Sequence, residues 1–341
     1  MAKTSLETLW QDEVRRRRRL FKLTALVVAM LISFAACVWF YVTQPLFTNP
    51  QPASQTLVSP TRLEAHVRTI SEAIFPRDFE QTEDLERVAS YVREQFEKAH
   101  GAVSDQPFQV NGKTYRNVIA SFGPESGELI IVGAHYDSFG PNAAADDNAS
   151  GVAGLIELAY LLGQHAPIMR TELVAYTLEE PPFFRTSSMG SAIHASLLRQ
   201  RGVKVKAMLS LEMIGYFSDA PDSQRFPAVI FSLMYPSKGN FIAVVGSVGE
   251  GMLVRTVKSA MRAASPLPVY SINAPGSVPG LDFSDHLNYW NAGYPALMIT
   301  DTAFYRNTAY HTSQDTANRL DYQRMSQVVQ QVYAAVTALS G

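Results

Sequence analysis

Apolar positions along this 341-residue chain fall into two regimes. The first is one unbroken block over residues 23–42, in which only Thr24 and Ser33 are polar. Twenty residues match the length a helix needs to cross a bilayer, and exceed the apolar core of a cleaved signal peptide. The second regime starts near residue 60, where amphipathic stretches alternate with short apolar runs. Residues 60–74 and 82–100 carry helical periodicity. In the second of these, Leu85, Val88, Ala89, Val92 and Phe96 share a face, and Gly101 stands as terminator. Further along, the pattern predicts strands at 115–121, 128–134, 171–177, 206–211, 240–246 and 295–300. Helices are predicted at 150–162, 188–200, 250–263 and 321–339. This alternation predicts an α/β domain with a mostly parallel central sheet sandwiched by helices, preceded by one transmembrane helix. Residues 219–236 fit neither period and read as a surface insertion.

Charge sharpens the picture. Residues 1–22 hold seven basic against three acidic side chains, a net +4, so −6 remains for the rest of a chain whose total is −2. Arg15 to Arg19 lie just before the apolar block, whereas residues 43–60 carry no charge. That asymmetry predicts an amino end in the cytoplasm and everything after Val42 outside it, in the periplasm if the cell is a Gram-negative bacterium. Pro45, Pro50 and Pro52 make residues 43–59 an extended linker. The organisation expected is a basic tail (1–22), an anchor (23–42), a linker (43–59) and one domain (60–341). A mildly acidic main body argues against nucleic acid as partner. Cys37 is the only cysteine and lies inside the apolar block, which excludes an intramolecular disulfide and makes thiol catalysis a poor reading.

The candidate chemistry sits where strands end. His135 and Asp137 follow one predicted strand, Glu179 and Glu180 the next, and Glu212 a third. Asp146-Asp147-Asn148-Ala149-Ser150-Gly151 opens a helix, and His311 with Asp315 lies on a late loop. In open α/β sheets, the carboxyl ends of strands are where ligands bind. Imidazole and carboxylate are zinc ligands, and a two-ion centre needs one bridging carboxylate, terminal ligands for each ion and a shared water. Asp147, on its glycine-bounded turn, is the natural bridge. Asp137 is spaced to orient His135, and the Glu pair allows one carboxylate to bind metal while the other acts as general base. Other residues read more plainly. His66, His100, His165 and His194 lack acidic surroundings and are taken as surface or helix residues. Ser284, Asp285 and His286 are too close in sequence to converge as a triad, and read instead as contributors to the pocket. Tyr305, Arg306, Asn307 and Tyr310 are candidate substrate contacts, and residues 181–185 candidate pocket wall. The glycan acceptor pattern at Asn148 is discounted because it falls inside the metal turn.

These motifs resemble the di-zinc metallo-aminopeptidase family that includes bacterial leucyl-type aminopeptidases and glutamate carboxypeptidases, with glutaminyl cyclases as more distant relatives. The resemblance runs from about residue 57 to the end and is most specific over 129–316. It implies a zinc aminopeptidase-like fold and a catalytic domain over 60–341. It also implies a zinc-dependent exopeptidase for peptide substrates, an aminopeptidase hydrolysing N-terminal peptide bonds, holding two zinc ions (or cobalt or manganese); the apolar block would anchor it to the membrane. Carried over by motif, His135 and Glu212 would hold one ion and Glu180 and His311 the other. Asp147 would bridge them, Glu179 would be the general base, and Asp137 the partner of His135. Apart from the resemblance, their places in the sequence make Asp285, His286, Arg306 and Tyr310 the candidate substrate contacts. The alternatives are a glutaminyl cyclase-type acyltransferase and an inactive receptor-like ectodomain.

Overall fold

A computed structural model describes residues 2–47 and 58–341, so residues 48–57 of the expected linker lie outside the described part. The apolar block and the basic tail form one helix, α1 (Ala2–Thr43), ~63 Å long at 1.5 Å per residue. From Glu7 to Thr43 it is long and apolar enough to cross a membrane, and none of its most apolar stretch is buried against the domain.

The domain opens with α2 (Pro60–Arg68), started by Pro60 and capped by the Ser59 hydroxyl. A π turn over Thr69–Ala73 continues it where the sequence predicts plain helix. Next come α3 (Thr82–Lys98), β1 (Ala102–Val110), β2 (Lys113–Phe122) and β3 (Leu129–His135), then α4 (Gly151–Gln164) and β4 (Arg170–Tyr176). After α5 (Gly190–Gln200) and β5 (Val205–Glu212), a four-residue helix α6 (Val229–Ser232) interrupts the irregular segment. The chain ends with β6 (Ile242–Gly246), α7 (Gly251–Ala264), β7 (Val269–Asn273), α8 (His286–Asn291), β8 (Ala296–Thr300) and α9 (Tyr322–Ser340).

The eight strands form one sheet in the order β1-β2-β4-β3-β5-β8-β6-β7. Four of the seven pairings are parallel, including the central run β4-β3-β5-β8. The antiparallel pairs are β1-β2, β2-β4 and β6-β8. β3 is buried at every residue because both faces of the sheet are covered. Ile130, Val132 and Ala134 belong to a hydrophobic cluster that takes in residues of α2, α3, α4, α7 and α9, whereas Leu129 and Ile131 belong to a second cluster with residues of α5 and α8. His135 and Glu212 are the last residues of β3 and β5, and Glu179 follows β4 by three residues, so the parallel centre of the sheet delivers all three to one edge.

Candidate metal centre

The site is built on the Asp146 to Gly151 turn. Asn148 Oδ1 accepts from Gly151 N and Met213 N (both 3.1 Å), and its Nδ2 donates to Leu211 O (2.8 Å). Ser150 Oγ donates to Asp146 O (2.7 Å) and accepts from Ile214 N (3.0 Å). The short polar residues of this turn thus clamp the exit of β5, which carries Glu212. They also leave Asn148 fully buried, consistent with discounting it as a glycan acceptor. Asp315, four residues after His311, accepts from Asp146 N (3.0 Å) and Asp147 N (3.0 Å) and ties the late loop to the same turn.

Two ligand groups meet on Asp147. His135, Asp147 and Glu212 form one, and Asp147, Glu180 and His311 the other; in each, one potential donor atom per residue lies within 4.8 Å of the rest. Asp147 Oδ1 is 3.4 Å from His135 Nε2, and Oδ2 is 3.2 Å from His311 Nε2. Glu212 Oε2 approaches His135 Nε2 at 3.4 Å, and Glu180 Oε2 approaches His311 Nε2 at 3.2 Å. The donor set fits cations. His135 Nδ1 and Nε2, His311 Nε2 and Glu180 Oε1 are buried with no hydrogen-bond partner among the described residues, a costly arrangement unless another electrophile satisfies them.

Electrostatics say the same. Burial disfavours a charged His135, yet Glu212 and Glu179 push its pKa well above the ordinary value. Burial, reinforced by Asp147, pushes Glu180 up to about 8. Burial also opposes the ionisation of Asp147, but His135 and His311 hold it below the usual carboxylate range. Burial raises Glu179 well above its ordinary value despite the pull of His135. Like charges crowded into one dry pocket are what bound cations would relieve.

Glu179 differs from its neighbour. Its carboxylate accepts no hydrogen bond among the described residues and comes no nearer than 4.0 Å to His135 Nε2. Its position is set through the backbone: Asp137 Oδ1 accepts from Glu179 N (3.1 Å), and Oδ2 from Glu180 N (3.0 Å). Asp137 is also 3.5 Å from His135 Nδ1, beyond good hydrogen-bond range. Its firm contacts are therefore to the Glu pair. Leu178, Met213 and His311, each within one residue of a site side chain or itself one, all have positive φ. Such backbone persists where the surroundings over-determine it, commonly at functional sites.

An aromatic cavity opens beside this cluster, with about 820 Å³ of empty space when the solvent at its mouth is included. Glu212 and Tyr310 are among its lining residues and join it to the ligand cluster, and Phe226, Phe231, Phe241 and Phe304 also line it. Residues 224–235 thus form one wall of it, where the sequence suggests only a surface insertion. Tyr310 also stacks on His311 (centroids 3.8 Å apart), and Phe139 covers the other face of that ring at 4.1 Å.

Not every expected contact reaches this space. Arg306 is buried behind the wall, where Nε donates to Gln224 Oε1 (2.9 Å) and the guanidinium packs over Phe241. It holds the segment that forms the wall. His286 is fully buried against Trp290, its Nε2 paired with Leu281 O (2.7 Å). Asp285 is buried outside the cavity lining, while Ser284 Oγ donates to Glu212 Oε2 (2.8 Å). No triad forms. Tyr305 lines the cavity, whereas Asn307 Nδ2 donates to Asp146 Oδ2 (2.9 Å) beneath the turn. Of residues 181–185, Phe183 packs edge-on against Phe79, and Phe184 against Phe283, whose own ring lines the cavity. His66 and His194 are buried helix residues paired with Glu157 (3.4 Å) and Glu172 (3.5 Å), whereas His100 and His165 are exposed.

No local pattern in the sequence marks Arg77 or Phe139. Arg77 is fully buried and donates to Tyr136 O (2.9 Å), Ala143 O (2.6 Å) and Ala144 O (2.6 Å), bracing the loop between β3 and the metal turn. Burial lowers its pKa to about 10 despite the nearby carboxylates of Asp315 and Asp147.

Comparison with known proteins follows the same lines. The model of peptidase family M28 matches residues 117–336. YfbL of Escherichia coli K12, described as an uncharacterized protein, is 46% identical over 312 residues, covering 89% of this chain and 96% of that one. A probable leucine aminopeptidase 1 of Trichophyton verrucosum is 23% identical, over 88% of this chain and 81% of its own. Among solved structures, the zinc aminopeptidase BSAP of Bacillus subtilis shares the fold with a TM-score of 0.66 at 15% identity. That match covers 83% of this chain and 95% of BSAP.

Proposed function

The chain belongs to peptidase family M28 and is a peptide-bond hydrolase, and on that premise we propose that it is a membrane-anchored, two-zinc aminopeptidase whose catalytic domain faces away from the cytoplasm. The observation that carries the two-ion reading is Asp147, whose two carboxylate oxygens turn to two different ligand groups. His135, Asp147 and Glu212 would hold one ion, and Asp147, Glu180 and His311 the other. When bound, the ions supply Lewis acidity toward a water and the scissile carbonyl. The chain's own residues supply the rest. Glu179, unbonded and at the edge of both groups, takes a proton as water attacks and returns it to the departing amine. Asp137 sets the direction of Glu179 through the backbone of the strand-end turn. Tyr310 and the phenylalanine-rich cavity next to Glu212 accept a bulky apolar side chain from the substrate's first residue.

Leucine aminopeptidases among the relatives favour amino-terminal over carboxyl-terminal trimming. The presence of both ligand groups favours hydrolysis over one-metal glutaminyl cyclisation, and a full ligand set with a free carboxylate beside it speaks against an inactive receptor-like domain. The test is hydrolysis of aminoacyl anilides and of acyl-blocked peptides by the full-length protein. Anilides should be cleaved and blocked peptides spared; the reverse outcome would mean that the free amine is not recognised. In the same assay, Glu179→Gln should lose at least ~100-fold in kcat while metal content stays at the wild-type level. Normal turnover by that variant would remove Glu179 from the role of base.

A further inference from the structure

We propose that the catalytic domain makes a second contact with the membrane: α6, the start of α7 and Phe47 dip shallowly into a bilayer surface beside the anchor. This rests on residues 23–42 spanning the bilayer, as proposed above. The domain does not hang from α1 on a free tether. Lys258 Nζ donates to Thr43 O (2.8 Å) and Gln44 O (3.1 Å), and Ser271 Oγ donates to Thr43 O (2.9 Å). These bonds hold the end of α1 against α7 and β7.

The grip starts below the end of the apolar block. The Tyr41 hydroxyl donates to Val248 O, and the Arg255 guanidinium lies 5.5 Å from the centroid of Phe40. Trp39 shares a groove with Met234, the second residue after α6. Trp39 lies ~4.5 Å below Val42 along a helix rising 1.5 Å per residue. Groups that touch residues 39–41 therefore lie within ~5 Å of the edge of the hydrocarbon core, just under the headgroups, when residue 42 marks that edge.

What the domain shows at that depth suits lipid. Among the described residues after Phe47, seven large apolar side chains are exposed, and five of them fall in the two segments at the foot of α1. They are Val229, Ile230 and Leu233 on and next to α6, and Val248 and Met252 where α7 starts. Phe47 joins them, 79% exposed and stacked on Phe40 at 6.3 Å. A cluster of this kind on a soluble face marks an interaction site. The helix α7 behind it carries the half-buried Arg255 and Arg262 and no acidic residue, a composition that favours anionic headgroups, while Lys258 is buried against the end of α1. Tyr235 and Tyr270 border both this groove and the aromatic cavity, so docking holds the substrate cavity at the bilayer surface.

The test uses full-length protein in vesicles of phosphatidylcholine and phosphatidylglycerol, with an environment-sensitive fluorophore on one cysteine at a time. Leu233→Cys, Met252→Cys and Gln109→Cys are each made with Cys37→Ser, and the native Cys37 probes the anchor itself. Gln109 is exposed on β1, at the opposite end of the sheet from β7, seven strand spacings or ~34 Å away. Lipids carrying a quencher just below the headgroup should quench the probes at 233 and 252 at least about twofold more than the probe at 109. Quenching at 37 with probes 233 and 252 matching 109 overturns the docking and leaves the anchor intact. An unquenched probe at 37 removes the anchor and this proposal together.

Discussion

At the scale of single residues, Asp137 shows how a charge acts at one remove from the chemistry. Its carboxylate takes the backbone N–H groups of both Glu179 and Glu180. Replacing it by alanine strands two buried donors, at ~1–3 kcal/mol each, and frees the turn that aims the proposed base. Asp137→Ala should therefore lower kcat by more than tenfold with a smaller change in KM, and lower the melting temperature as well. Unchanged kcat and stability would show that the turn holds its shape without it. Legibility in the sequence follows from where a residue's partners lie. His135, Glu179 and Glu212 stand out because each ends or follows an apolar strand, so a local pattern marks them. Arg77 carries no such mark: its partners are carbonyls at residues 136, 143 and 144, about sixty residues away. Arg306 misleads for the same reason. A polar side chain next to a candidate ligand looks like a substrate contact until its partners, Gln224 and Phe241, are seen.

At the scale of elements, the central strands are plain in the sequence and the edge strands are not. β1 has an interrupted, mostly exposed pattern and contains Pro107, as edge strands tolerate. β7 has five residues and covers one end of the sheet, too short to declare a period. The role of residues 224–235 was equally hidden, because their aromatic residues follow no repeat and find their purpose only against β6 and β8 across the cavity. This arrangement makes a prediction about preference. Ala243 of β6 is buried at the cavity wall, so Ala243→Phe should fill the space meant for a bulky first residue. Anilides of leucine or phenylalanine should lose 10-fold or more in kcat/KM, on the order of 1–3 kcal/mol, while alanine anilide changes little. Equal losses for all three would place the side-chain pocket elsewhere.

At the scale of the whole molecule, the fold is stable around a cluster that repels itself. In the metal-free protein, His311 is pushed up to about 10: burial opposes its charge, but Asp147 and Glu180 outweigh it. A histidine raised in this way stabilises the fold fully below its unfolded value of 6.5, and that stability is lost as pH rises through about 10. Glu180, raised by burial to about 8 from 4.5, acts in the same direction, because between those values the folded state keeps a proton that the unfolded state has shed, so stability falls as pH rises. Asp147, held low, matters only below its usual range. The metal-free protein should therefore melt at a lower temperature at pH 9 than at pH 6. Bound zinc takes the place of the protons, and at a hundredfold excess over Kd adds about 2.7 kcal/mol per site. The rise in melting temperature on adding zinc should be larger at pH 9 than at pH 6; calorimetry with and without chelator reads this directly. A melting temperature that rises with pH in the metal-free protein would contradict the balance of charges described above.

The two-metal account depends on one carboxylate serving two cations, and counting the metal tests that claim. Full-length protein, loaded with zinc and freed of excess, should carry two zinc ions per chain by elemental mass spectrometry. Asp147→Ala, which removes the shared ligand, should carry fewer than one. One ion or none in the wild-type chain, or two retained without Asp147, would contradict the two-metal centre.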